Sequence, residues 1–174
     1  MKKSHLIAKL KSLVFEKYSM VDYYCKKGMK IGKNPRIFSD IYTPEPYLIE
    51  IGDNVTISSK VQLITHDASI EKVLPETTDV FGRIKIGSNC FIGARSIILY
   101  GCTLADNMIV AAGSVVTKSF TEPGKVIGGN PAHVICDVEQ FAKKHKEFAV
   151  STKGMTWEKK RDFLLKNEEK LVKR

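Results

Sequence analysis

The stretch 86-IGSNCFIGARSIILYGCTLADNMIVAAGSVVTK-118 decides the fold. Aliphatic residues stand at Ile86, Ile92, Ile98, Leu104, Val110 and Val116, six apart without a slip. Four residues after each of the first five comes a second, mostly small or apolar residue: Cys90, Ser96, Cys102, Met108, Ser114. A six-residue period is neither the 3.6 of a helix nor the 2 of a strand. It is a short strand plus a turn, so three hexads close one triangular coil of eighteen residues. A single coil cannot bury its own apolar face, and stacking the coils makes one continuous core. A β-sandwich with regular turns does not keep one phase this long.

Outward from that stretch, the same phase appears at Ile51, Ile57 and Leu63. Ile31 and Ile37 keep the six-residue spacing but sit two residues out of phase with Ile51, and 43-TPEPYL-48, irregular by its two prolines, absorbs the shift. Glycine follows the aliphatic at Gly52, Gly87 and Gly93, where tolerance of positive φ suits a corner. The repeat then breaks just past His66. Residues 69–85, SIEKVLPETTDVFGRIK, leave the coil as a long loop before Ile86 resumes the phase. Long loops on a rigid scaffold often carry function.

Counted from Leu63, the inward positions are Leu63 and Asp67, and His66 is the fourth residue, pointing out near a corner. Of the four histidines, His5 and His145 lie in basic tails and His133 in the closing segment; His66 alone lies within the coils, directly before the break.

These residues resemble the hexapeptide-repeat acyltransferases, in particular the maltose/galactoside acetyltransferase branch and its relatives that O-acetylate sugars of bacterial surface polysaccharides. The likeness is carried by 51-IGDNVTISSKVQLITHD-67, 86–120 and 126-VIGGNPAHVI-135. The combination of THD, AAGSVVTK and GNPAHVI is far more specific than the hexads alone. The resemblance implies an all-β core, a left-handed parallel β-helix, over residues 31–136 with the loop 69–85. A helical N-terminal extension, 1–30, and a helical C-terminal tail, 137–174, flank it. It implies acetyl transfer from acetyl-CoA to a sugar hydroxyl by direct attack on the thioester, with no metal, in a homotrimer whose sites lie between subunits.

Residue by residue, the resemblance makes His66 the catalytic base. It maps contacts of the CoA arm onto Ala94, Ala112, Thr117 and Lys118, the last a cation for a phosphate. Asp40, where related enzymes carry an asparagine, and Asp67 are candidate acceptor contacts. The acceptor hydroxyl is a weak nucleophile until a base takes its proton, and neutral imidazole is suited to that. A further group must hold the second ring nitrogen. Asp67 is adjacent to His66 but is expected to turn inward.

Other classes are weighed on the same residues. A γ-type carbonic anhydrase needs three histidines converging on zinc, and only His66 is so placed. A non-enzymatic β-helix scaffold needs neither His66 nor the break after it. Among enzymes, the alternative is an N-acetyltransferase of an amino-sugar nucleotide.

The chain has 174 residues and a formal net charge of +9, nearly all of it outside the coils: residues 1–30 carry net +6 and 137–174 net +4. No recognition module accompanies that charge, which argues against nucleic acid. Solvated helix faces explain it, and attraction to anionic membrane or lipid-linked substrates is the further reading. The N-terminus is expected to be no signal peptide, since Lys9 and Lys11 interrupt its apolar residues. The four cysteines form no CxxC pair and are read as free thiols of a cytoplasmic protein. Asp137 and Thr156 are the expected N-caps of the tail helices.

Overall fold

The computed structural model describes residues 20–173. The apolar spacing at Leu6–Val14 that predicts a helix lies outside them. Each hexad forms a two- or three-residue strand whose second or third residue is the inward aliphatic. The first side of the coil stacks β1 (Lys30–Ile31), β3 (Ile49–Ile51), β8 (Ile84–Ile86) and β11 (Thr103–Leu104). The second stacks β2 (Arg36–Ile37), β4 (Thr56–Ile57), β9 (Phe91–Ile92), β12 (Ile109–Val110) and β14 (Lys125–Gly129). The third stacks β5 (Gln62–Leu63), β10 (Ile97–Ile98) and β13 (Val115–Val116). All three sides are parallel, so the molecule is a three-sided parallel β-helix.

The register confirms the period. Ile86 pairs with Leu104, Ile92 with Val110 and Ile98 with Val116. In the first coil Ile31 pairs with Ile51 and Ile37 with Ile57, two residues more than one turn. The surplus lies after Ile37, in residues 38–48, which bury Ser39, Ile41 and Pro46 and end in the 3₁₀ turn Pro46–Leu48. The inward column is fully buried, from Ile57 through Ile92, Ile98, Val110 and Val116, each at 0 % exposure. Among inward polar residues, Ser96 and Ser114 both donate to the Ala111 carbonyl, at 3.0 and 2.6 Å, as a buried hydroxyl must.

The corner glycines have a different cause from the expected one. Gly52, Gly87 and Gly93 do not have positive φ; they sit under the next coil. A Cβ at Gly93 would lie 2.5 Å from the Ala112 nitrogen, and one at Gly52 2.7 Å from the Ser88 nitrogen. The left-handed residue of each corner comes two positions later, at Asn34, Asn54, Asn89, Asn107, Lys60 and Arg95, with Gly101 and Gly113 on the remaining corners. Asparagine tolerates this region through its short polar side chain. Here it also bonds between coils, Asn34 to Asn54 at 3.1 Å and Asn54 to Asn89 at 3.2 Å.

Both ends of the coil are closed. The helix Met20–Lys26 and the residues after it bring Tyr24 and Met29 into the core. Burial pushes the Tyr24 phenol up to about 12; it accepts from the Ile41 amide at 2.5 Å and donates to Asp40 at 3.0 Å. At the other end β14 turns through a cis Asn130–Pro131 peptide into β15 (Ala132–Asp137), which runs back antiparallel. Asp137 and Thr156 stand at the N-caps of the helices Val138–His145 and Trp157–Lys166, Thr156 accepting from the Lys159 amide at 3.3 Å. Neither tail helix contributes a buried residue, and the first lies against β14 and β15, its Val138 amide donating to the Gly124 carbonyl at 2.9 Å.

Candidate active site at the break in the coil

The coil breaks because the chain leaves it after Thr65. Thr65, not Asp67, takes the inward position and is 1 % exposed. His66 and Asp67 then form a short strand, β6, that pairs antiparallel with β7 (Val80–Phe81), His66 opposite Phe81 and Asp67 opposite Val80. Between them run the 3₁₀ turn Ala68–Lys72 and an exposed loop. The excursion closes where the Gly82 amide donates to the Thr65 carbonyl at 3.0 Å. Gly82 has no room for a side chain, since a Cβ would lie 2.4 Å from the Gly101 nitrogen.

Successive strand residues face opposite ways. That alternation separates His66 from Asp67. Asp67 accepts from the Ser69 amide at 2.8 Å and from the Tyr100 hydroxyl at 3.3 Å. Ser69, first through its amide and then its hydroxyl, holds the Asp67 carboxyl below its ordinary value, with Tyr100 and His66 adding to the effect. Asp67 therefore fastens the ribbon to the coil, and the second imidazole nitrogen is held by another residue.

That residue is Glu45, which the sequence reading did not single out. Its Oε2 lies 2.9 Å from His66 Nδ1 and accepts the Thr65 hydroxyl at 2.7 Å. The Glu45 side chain is 13 % exposed and that of His66 34 %. Since Thr65 spends its proton on Glu45, the 2.7 Å contact between Thr43 and Thr65 is donated by Thr43. A carboxylate only accepts, so Nδ1 donates to Glu45 and, in the neutral ring, the lone pair is on Nε2, which has no hydrogen-bond partner among the described residues. Glu45 stands between two prolines in the out-of-phase coil; an acid in that irregular turn was the signal available for it.

The other predicted residues lie on the coil edges. The register that stacks Leu63, Ile98 and Val116 continues through Ile64, Leu99 and Thr117. Thr117 and Lys118 thus lie on His66's edge, two rungs away, about 10 Å along the axis. Both are exposed, and Lys118 Nζ lies 5.7 Å from the centre of the Phe120 ring. Ala94 and Ala112 stack on a different edge, where the Gly113 amide donates to the Ala94 carbonyl at 2.8 Å. Asp40 is exposed and tied to Tyr24. The structure brings together Thr43, Glu45, Thr65 and His66; it leaves Asp40, the alanines and Lys118 at separate places in one chain. Among the described residues no group of three His, Cys, Asp or Glu side chains is arranged to hold a metal ion. No helix among them is long and apolar enough to cross a membrane.

Residues 83–118 match the model of the hexapeptide repeat of succinyl-transferase. Over 146 residues the chain is 44 % identical to Protein CapG of Staphylococcus aureus, covering 80 % of this chain and 84 % of that protein. Among solved structures, a maltose O-acetyltransferase from Clostridium difficile 630 superposes with a TM-score of 0.58 at 37 % identity, over 63 % of this chain and 59 % of that one. A hexapeptide-repeat-containing acetyltransferase from Vibrio cholerae, complexed with acetyl-coenzyme A, superposes with a TM-score of 0.56 at 28 % identity, over 64 % and 61 %. The match thus spans about three fifths of each of those two chains.

Proposed function

The chain belongs to the hexapeptide-repeat acetyltransferase family, with its left-handed parallel β-helix, and from that premise we propose that it moves an acetyl group from acetyl-CoA to a hydroxyl of a saccharide. The observation that carries the reading is the Glu45–His66 pair at the break in the coil, with Nδ1 held at 2.9 Å and Nε2 left free.

In the proposed reaction the acceptor hydroxyl gives its proton to His66 Nε2 as its oxygen attacks the thioester carbonyl. The tetrahedral intermediate collapses, the C–S bond breaks and the imidazolium returns the proton to the leaving thiolate. Glu45 keeps the ring in one tautomer and balances its transient charge, as the orienting acid does in hydrolase triads. No covalent enzyme intermediate is needed, because the acyl group arrives activated.

The donor is assigned to the edges that carry Ala94 and Ala112, whose small side chains admit the pantetheine arm, and Thr117 and Lys118, with Lys118 meeting a phosphate. In one chain these lie on different edges, so a groove using both is made by two chains. The outward residues Ile97 and Val115 of the third side, half-buried and apolar, suit that contact, and we assign the protein to a homotrimer. Asp40 offers its remaining lone pairs to an acceptor hydroxyl. The setting we assign is cytoplasmic synthesis of a surface polysaccharide. The likeness to a maltose O-acetyltransferase supports O- over N-acetylation.

The test is a screen of free, nucleotide-linked and lipid-linked sugars with acetyl-CoA, reading thiol release, for the parent and His66→Ala. Turnover on a saccharide hydroxyl that His66→Ala abolishes is the expected result. Turnover only on amines, or none on any sugar, removes the reading.

A further inference from the structure

The excursion between Thr65 and Ile84 does more than interrupt the coil: it carries Phe81 to His66. The antiparallel register sets Phe81 opposite His66, and the two ring centroids are 5.8 Å apart with planes inclined at 43°. Gly82 pins the return, because only a residue without Cβ passes Gly101 there. The position of the ring is therefore set by backbone geometry. Yet Phe81 is 57 % exposed, with one edge against the imidazole and much of its surface in water. An apolar ring fixed in place and open to solvent beside the imidazole offers a flat surface to whatever meets His66.

We propose that Phe81 is the floor on which the acceptor sugar ring lies, and so a specificity-determining residue of the acceptor site. Three observations choose the acceptor over the donor. The free Nε2 of His66 must meet the acceptor hydroxyl, so the surface against the imidazole belongs to the acceptor. The residues assigned to the CoA arm stand elsewhere, Thr117 and Lys118 two rungs along the edge and the alanines on another edge. Finally, a pyranose has one face of axial C–H bonds, which an aromatic face covers well, while its equatorial hydroxyls stay free to hydrogen-bond at the rim. Thr43 and Glu45 supply the polar side of the same place, held there by the buried Thr65 hydroxyl. The inference rests on the saccharide reading above and deepens it: the acceptor presents an unsubstituted apolar face of its ring to Phe81, next to the hydroxyl that is acetylated.

The experiment measures steady-state kinetics of the parent, Phe81→Ala and Phe81→Trp. Acceptors are a fixed panel of free hexoses, N-acetylhexosamines and their uridine-diphosphate forms, at saturating acetyl-CoA. Phe81→Ala is expected to raise the saccharide KM about three- to tenfold, the worth of an aromatic contact. The KM for acetyl-CoA should stay at its parent value, and Phe81→Trp should restore the saccharide KM. An acetyl-CoA KM that rises instead places Phe81 on the donor side and overturns the inference. So does loss of the oligomer by light scattering, which would make Phe81 an interface residue. A fall in kcat with the saccharide KM unmoved would assign Phe81 to steadying the imidazole, and overturns it too. If the parent acetylates a saccharide whose KM ignores Phe81, this inference alone fails. If the parent acetylates no saccharide on the panel but acetylates other alcohols, the saccharide reading fails with it.

Discussion

At the scale of single residues, the proposed mechanism makes His66 and Glu45 one unit, and their mutants should show it. His66→Ala is expected to lower kcat roughly 10²- to 10⁴-fold with the oligomer intact, because the ring lies outside the core. Glu45→Ala should lower kcat by less, within about the same range. The double mutant should be no worse than His66→Ala alone, since an orienting acid has nothing to orient once the ring is gone. Multiplicative losses would mean that Glu45 acts on the substrate independently. Asp67 gives a pH effect. Its folded-state carboxyl is held below the ordinary value by Ser69, so its contribution is present above the unfolded value and lost as pH falls through the folded one. The melting temperatures of the parent and Asp67→Asn should therefore differ at neutral pH and converge in acid.

At the scale of elements, each corner has two special positions with different physical demands, and paired substitutions separate them. Gly93→Ala puts a methyl 2.5 Å from the Ala112 nitrogen and 2.6 Å from the Val110 carbonyl oxygen, inside the coil-to-coil spacing. The coils must part or tilt, at a cost of about 1–3 kcal/mol. Gly113 has φ +72° and open space where a side chain would go. Gly113→Asn should cost well under that, because asparagine already occupies this conformation at four other corners. Urea titrations of the two variants check the order, and equal losses would show that the corner conformation, rather than the approach of the next coil, dominates. On the edge shared with His66, Lys118→Ala is expected to raise the acetyl-CoA KM roughly tenfold with kcat little changed, as for a contact equal in ground and transition states. Rising salt should narrow the gap between parent and variant.

At the scale of the whole molecule, the residues proposed for the site lie on edges that one prism does not bring together. His66 and Lys118 share one edge, while Ala94 and Ala112 occupy another. The proposed pairing of copies through the third side would resolve this, and Ile97→Asp tests it. An acid placed among the outward apolar residues should dissociate the oligomer in light scattering and remove activity, while the monomer keeps its far-ultraviolet circular dichroism. An active Ile97→Asp monomer would place the whole site within one chain.

What the sequence by itself determined is the repetitive part. The inward column of six aliphatics, the small residues beside it, the two-residue surplus before Ile49 and the presence of a break near His66, though not its start after Thr65, were all legible in it. They were legible because each coil poses the same packing problem, so the periodicity reports burial directly. The capping roles of Asp137 and Thr156 were legible for a similar reason, since a cap depends only on its next few residues. Only the tertiary structure decided the parts that depend on chain leaving the coil. The hexad count from Leu63 places Asp67 inward; once the chain departs after Thr65, strand alternation turns it to Tyr100 instead. Glu45 reaches His66 because the out-of-phase coil carries two surplus residues, which no local pattern around Glu45 encodes. Phe81 meets His66 across an antiparallel ribbon whose register is set at Gly82 by the coil beneath. These contacts join irregular segments of unequal length, and their geometry is fixed by the stacked coils that carry them rather than by any repeat of their own.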